Sequence, residues 1–248
     1  MLSRRIFVAG LCATPIPAFA AGDPLARLLD RNAEARGGRR RLDRLRTMDA
    51  VLRISEPSYT AIGTYAADRA GRVRVDVFAK GKRAFSEGVD ADGVWAWPGD
   101  QPQAASASEK GRQALLHGVA FNLIPLYALP AMGHRLTLVA ADPPCIQVTF
   151  ADGFETRLFL DPQTAQVVRR QDRRAYHPDL DSAEKRIESR FSHFRAVDGV
   201  TSAWLSEDYD LATGARIGRT EMLRLAWDRD IAARLPRVAV AAPPPAAA

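Results

Sequence analysis

Cysteine is nearly missing from this chain: of 248 residues, only Cys12 and Cys145 carry a thiol. Cys12 falls in the first twenty residues, so the body of the protein keeps one thiol, no internal disulfide can staple it, and the hydrophobic core must hold the fold alone. Cys145, in the strand-like "PPCIQVTF", has no evident base partner and reads as a small buried hydrophobe rather than a nucleophile. Lysine is scarce too, present only at 80, 82, 110 and 185. The remaining basic charge is arginine, which together with the many alanines reads as coding bias. The formal net charge of +6 becomes +4 without Arg4 and Arg5. Such a mild excess on a mixed surface is not the footprint of a nucleic-acid binder.

The motifs of common catalytic sites are also missing. The sequence holds no serine elbow, phosphate-binding loop or dinucleotide fingerprint, and no histidine pair at zinc spacing. His117, His134, His177 and His193 are scattered, and each reads as structural. "DADG" at 90–93 starts like a calcium loop, but Val94 stands where a further oxygen ligand is expected and Gln101 where a bidentate glutamate is required, so it is a turn. "HPDLD" at 177–181 gathers oxygens beside an imidazole and reads as a hairpin loop. These observations predict no metal, no cofactor and no catalysis. The least favoured alternative is an envelope enzyme built on His177 and Asp179.

What is present begins with an address. "MLSRRIFVAGLCATPIPAFA" has a basic start, a short apolar run, helix-breaking Pro15 and Pro17 and a small-x-small end. It predicts a secretory signal cleaved after about Ala20, too short to span a bilayer, with Arg4 and Arg5 matching a twin-arginine export signal. No later run is apolar enough to span. A monomer outside the cytoplasm is expected, with one domain over 21–235 and a disordered Pro/Ala tail over 236–248.

Hydrophobic periodicity then gives the order of elements. Asp23 and Pro24 open a helix with Leu25, Leu28, Leu29 and Ala33 on one face, and Gly37 ends it. "RRRLDRLRT" predicts a short second helix whose arginines point away from Leu42 and Leu45, with the two glycines before it as a joint. From Met48 the period changes to two, giving about five strands. "GRVRVDVFA" is the clearest of these, with Val73, Val75 and Val77 on a dry face and Arg72, Arg74 and Asp76 on a wet one. Residues 106–132 return to helical character, broken by Gly118, Pro125 and Pro130, and are the most apolar part of the body. Six or seven further strands follow. With few crossover helices available, the sheet must be largely antiparallel, and so many strands must curl or split.

These residues resemble the LolA-like family of periplasmic outer-membrane lipoprotein-sorting and carrier proteins. The likeness runs from about Leu25 to Leu225 and is carried by "NAEARGGRRRLDRLRTM", "DGVWAW", the apolar insertion, "LFLDPQTAQVVR" and "FSHFRAVDGV". It is to the broad branch of the family rather than to the lipoprotein chaperone itself. His193 replaces an acidic residue frequent in the group, and Thr201 to Ala203 lack the proline that often follows the turn. The resemblance implies an α+β fold, a curved antiparallel sheet forming an unclosed β-barrel, with helices as a lid over its concave face. It implies a hydrophobic cavity for a lipid or the acyl chain of a lipoprotein. On that basis the expected cavity and lid residues are Trp95, Trp97, Phe121, Leu123, Ile124, Leu126 and Tyr127. The expected function is a non-catalytic periplasmic carrier. The alternative is an envelope sensor or module that binds a protein partner.

Overall fold

A computed structural model describes residues 22–179 and 181–237. The segment expected to be an export signal lies outside the described residues, as does the sequence beyond Arg237.

Helix α1 (Pro24–Ala35) opens as its sequence dictates: Asp23 Oδ1 accepts the Leu25 N–H at 3.0 Å, and Pro24 occupies the first turn. It closes with a paired cap, Gly38 N–H donating to Ala33 O and Gly37 N–H to Glu34 O, both glycines having positive φ. A Cβ on Gly37 would lie 2.0 Å from the Gly199 carbonyl oxygen, so a close approach of two backbones requires this glycine. Helix α2 is a single turn, Arg39–Leu42, shorter than the sequence pattern predicts, because the chain must turn into the sheet at Thr47. Leu42 and Leu45 are fully buried. The arginines do point away from them, but several act as tethers. Arg39 pairs with Asp30 and lies over the Tyr127 ring, while Arg41 bonds Asp228 and the Asp198 carbonyl.

Five strands follow: β1 (Thr47–Glu56), β2 (Tyr59–Asp68), β3 (Val73–Ala79), β4 (Lys82–Asp90) and β5 (Gly93–Pro98), with a two-residue β6 (Ala105–Ser106). Helix α3 (Glu109–Leu123) comes next, then a 3-10 helix over Leu126–Met132. Gly118 does not break α3; Pro125 ends it, and Pro130 sits inside the 3-10 turn. The second half runs β7 (Arg135–Ala141), β8 (Pro144–Thr149), β9 (Glu155–Leu160), β10 (Val167–His177), β11 (Asp181–Ser192), a small hairpin β12 (Arg195–Val197) and β13 (Val200–Ser202), then β14 (Leu205–Asp210) and β15 (Arg216–Trp227).

Thirteen strands form one antiparallel sheet in the order β6-β5-β4-β3-β2-β1-β15-β14-β11-β10-β9-β8-β7. The first and last long strands therefore meet in the middle, and among the described residues β6 and β7 are the opposite edges. That order has a consequence for the insertion. Because it joins β6 to β7, residues 107–134 must cross the whole open side of the curled sheet. Val119 and Leu123 of α3 pack on Ala50, Tyr65 and Val73 of β1 to β3. Ala120 and Ile124, with Leu28 and Leu29 of α1, pack on Ile146, Val148 and Leu158 of β8 and β9. The helices are thus a bridge across the concave face between two apolar flanks.

The outer face corrects one expectation. Arg74 and Asp76 of β3 are buried, not wet, because residues 229–237 fold back across the outside of β1 to β5. Ile231 and Leu235 cover Ala66, Arg234 reaches Asp49, and Arg237 reaches Asp90. Beneath this strap Asp76 accepts hydrogen bonds from Arg74 at 2.7 Å, Ser86 Oγ at 2.5 Å and Thr64 Oγ1 at 3.3 Å. An alternating strand shows that its faces differ but not what covers the polar one.

Candidate functional site

Between the helical bridge and the middle of the sheet lies a cavity of about 350 Å³. Its apolar lining comes from far-apart elements: Met48, Ala50 and Leu52 of β1, Phe121 and Leu126 of the bridge, Leu158 of β9, Phe191 of β11 and Met222 of β15. These meet because β1 and β15 pair at mid-sheet, Leu52 opposite Met222, and because curling brings β9 to β11 round to face them.

The polar lining is unusual for a hydrophobic core. Trp204 Nε1, Trp227 Nε1 and Arg170 Nε are buried without a hydrogen-bond partner among the described residues, and all three side chains line the cavity. Tyr65 also lines the cavity, and burial pushes its phenol upward while a hydrogen bond with the Asn122 side chain opposes that shift. Arg170 lies over the Phe121 ring, with Nε 3.1 Å from Asp172 as an ion pair out of line for a hydrogen bond. Burial, reinforced by the nearby Arg174, pulls its pKa down to about 10. Arg36, the residue after α1, also lines the cavity. Its side chain makes no hydrogen bond or ion pair among the described residues, and burial lowers its pKa.

Asp208 is the single carboxylate in the lining, and it is already engaged by Ser189, by Tyr176 Oη at 3.3 Å and by Arg174 at 3.6 Å. The cavity therefore has apolar walls, a surplus of donors and a net positive lining.

The residues expected from sequence separate into three groups. Phe121 and Leu126 line the cavity. Leu123 and Ile124 are buried in the two cores that hold the bridge down, and Tyr127 packs against both while its hydroxyl donates to Asp43 at 2.8 Å. Trp95 and Trp97 do not line it. Trp95 pairs with Gly88, which pairs with Arg74, so both tryptophans sit on the outer face, Trp95 near the guanidiniums of Arg74 and Arg237. Tryptophans spaced by two share a face, but sequence does not say which face of the sheet is concave. Tyr65, Trp204, Trp227, Arg36 and Arg170 were missed, since they lie on separate elements and carry no common motif.

His177 and Asp179 are parted by their contacts. His177 Nε2 meets Glu56 Oε1 at 3.0 Å, while Asp179 accepts the Ser108 N–H at 3.0 Å beside the start of α3. His117 stacks on Phe154 and bonds Asp152 at 2.9 Å. Cys145 is buried in β8, and burial raises its thiol pKa. Among the described residues no group of three or more His, Cys, Asp or Glu could hold a metal ion, and no helix is long and apolar enough to cross a membrane.

This fold recurs in solved structures. A LolA superfamily protein, NE2245 from Nitrosomonas europaea, superposes with a TM-score of 0.54 at 10% identity over 85% of this chain and 96% of its own. This is the LolA-like fold. A DUF1329 family protein from Desulfovibrio piger aligns with a TM-score of 0.51 at 12% identity, over 84% of this chain and 95% of its own. A putative outer membrane lipoprotein-sorting protein domain from Vibrio parahaemolyticus gives 0.50 at 11% identity, over 84% and 92%. At the level of sequence, no family model and no curated protein matches. The fold is thus shared at only 10–12% identity.

Proposed function

We propose that this LolA-like chain is a periplasmic binding and carrier protein for lipids or acylated proteins, acting without catalysis. The observation that carries the reading is the cavity of about 350 Å³ held between the bridge and the concave face. Supporting it, one structural neighbour is described as an outer membrane lipoprotein-sorting domain. Burying a dozen methylenes releases roughly 10 kcal/mol at ~0.8 per CH₂. Association and ordering costs take back several of those, leaving a net affinity from which a guest can still leave. Phe121 and Leu126 are the contact residues of the bridge, and Leu123, Ile124 and Tyr127 fasten it.

Native mass spectrometry of the protein extracted from the envelope without detergent tests this. The wild type is expected to carry a lipid-mass adduct, and Met222→Trp, which fills the cavity without changing charge, is expected to emerge bare. A wild type that emerges bare and gains no thermal stability from added lipid would sink the carrier reading.

A second reading, a module that captures a protein partner, is favoured by the sheet edge that β7 forms among the described residues. Val139 there is 46% exposed, and Met132 just before it is 49% exposed. An extended peptide could add to that edge. A protein partner that survives lipid extraction in a pull-down, and is lost on Val139→Lys, would support it.

A further inference from the structure

The donors in the cavity define the head of its guest. We propose that the cavity takes a single-chain amphiphile whose head is an oxyanion, a carboxylate or a phosphate, met by Arg36, the one arginine of the lining with no acid partner among the described residues. This rests on the carrier reading and narrows it to one chemical class.

The argument is one of unmet hydrogen bonds and charge. An indole N–H and a guanidinium can only donate. The unpartnered nitrogens of Arg170, Trp204 and Trp227 are therefore all donors, and the positive ends of their N–H dipoles behind the cavity wall favour an acceptor group on the guest. A purely hydrocarbon guest would offer those dipoles nothing in a water-poor space, where unmatched polar groups are costly. An oxyanion supplies several acceptor lone pairs at once, and its bonds to an arginine are charge-assisted.

Charge agrees independently. The lining holds Arg36 and Arg170 against Asp208 alone, and Asp208 is satisfied within the protein by Ser189, Tyr176 and Arg174. Arg170 has Asp172 at 3.1 Å, whereas Arg36 has no carboxylate partner among the described residues. Arg36 is half-buried beside apolar walls, so an anionic group on the guest would complete it with a charge-assisted pair. The size of the space fixes the rest: about 350 Å³ lies near the lower end of the ~300–1,000 Å³ of small-ligand sites, which suits one chain rather than several.

Isothermal titration at pH 8 with dodecanoate, dodecyl phosphate, 1-dodecanol, acetate and inorganic phosphate, each chain below its micellar concentration, tests the inference. Both dodecyl anions are expected to bind at least about tenfold more tightly than dodecanol, the margin of a charge-assisted bond. Whichever anion is tighter names the head. Arg36→Gln should bring the anions down to the dodecanol level and Arg36→Lys should restore part of the difference, with circular dichroism confirming that both variants fold. Dodecanol binding as well as the anions, or a preference that survives Arg36→Gln, overturns the head-group inference and leaves the carrier intact. Acetate or inorganic phosphate binding as tightly as the dodecyl anions overturns it as well, by showing an anion site with no use for a chain. If no dodecyl compound binds at all, both readings fall.

Discussion

At the scale of single residues, the most sensitive group is Glu87. It lies on β4 at the register of Val75, which places it on the concave face, and burial followed by the Asp179 charge raises its pKa to about 7. A raised carboxylate binds its proton more tightly in the folded than in the unfolded chain, so its stabilisation is complete below about pH 4.5 and is lost as pH rises through about 7. Glu87→Gln removes that loss. Urea unfolding should find the two proteins equal near pH 4 and the variant more stable at pH 8 by on the order of 2 kcal/mol, solvent screening taking part of the full shift. A wild type as stable as the variant at pH 8 would show that Asp179 and the α3 start do not confine this carboxylate.

Asp76 poses the opposite problem. It sits beside a guanidinium that is 2% exposed, so Asp76→Ala leaves a buried cation short of its main partner. A loss of about 3–5 kcal/mol is expected in chemical denaturation. Neither residue could be read from sequence. "VRVDVF" and "FSEGV" show alternation, but the strap that buries Asp76 lies some 160 residues later, and the Asp179 that perturbs Glu87 some 90 residues later.

At the scale of elements, the joint between α1 and α2 shows how local and tertiary demands combine. Gly37 was legible as a helix stop because a left-handed cap favours glycine. Its second duty, admitting the Gly199 carbonyl of the β12–β13 turn, was not. Comparison of two alanine variants separates these duties. Gly81→Ala, at φ +77 with nothing within 4 Å of the new Cβ, should cost only the backbone strain of ~1 kcal/mol. Gly37→Ala, at φ +123 with an oxygen at 2.0 Å, should cost at least ~2 kcal/mol more in a thermal unfolding series. Equal losses would show that the hairpin yields.

The bridge was legible in part. Its apolar content and Pro125 marked a helix and its end, but Gly118 did not break α3, since one glycine costs only ~1 kcal/mol in a helix packed on two cores.

At the scale of the whole molecule, the chain closes on itself twice. β1 and β15 join at the centre of the sheet, and residues 229–237 return across its outer face. A chain truncated after Asp228 keeps every strand but uncovers Ala66, Arg74 and Asp76 and loses the tethers to Asp49 and Asp90. Calorimetry should show a melting temperature lower by several degrees, about 2–4 °C for each kcal/mol lost. An unchanged melting temperature would make the strap incidental.

The sequence by itself determined the period of each strand, the turns, the cap of α1, the apolar insertion and, through the scarcity of crossover helices, an antiparallel sheet that must curl. Each depends on neighbours within a few residues or on a count of elements. Only the tertiary structure decided which face became concave, that Trp95 and Trp97 look outward, and that Arg36, Tyr65, Arg170, Trp204 and Trp227 converge on one cavity. Period-two alternation is symmetric between the two faces of a sheet, and a cavity is bounded by residues whose separation along the chain carries no signal until the strands are placed in order.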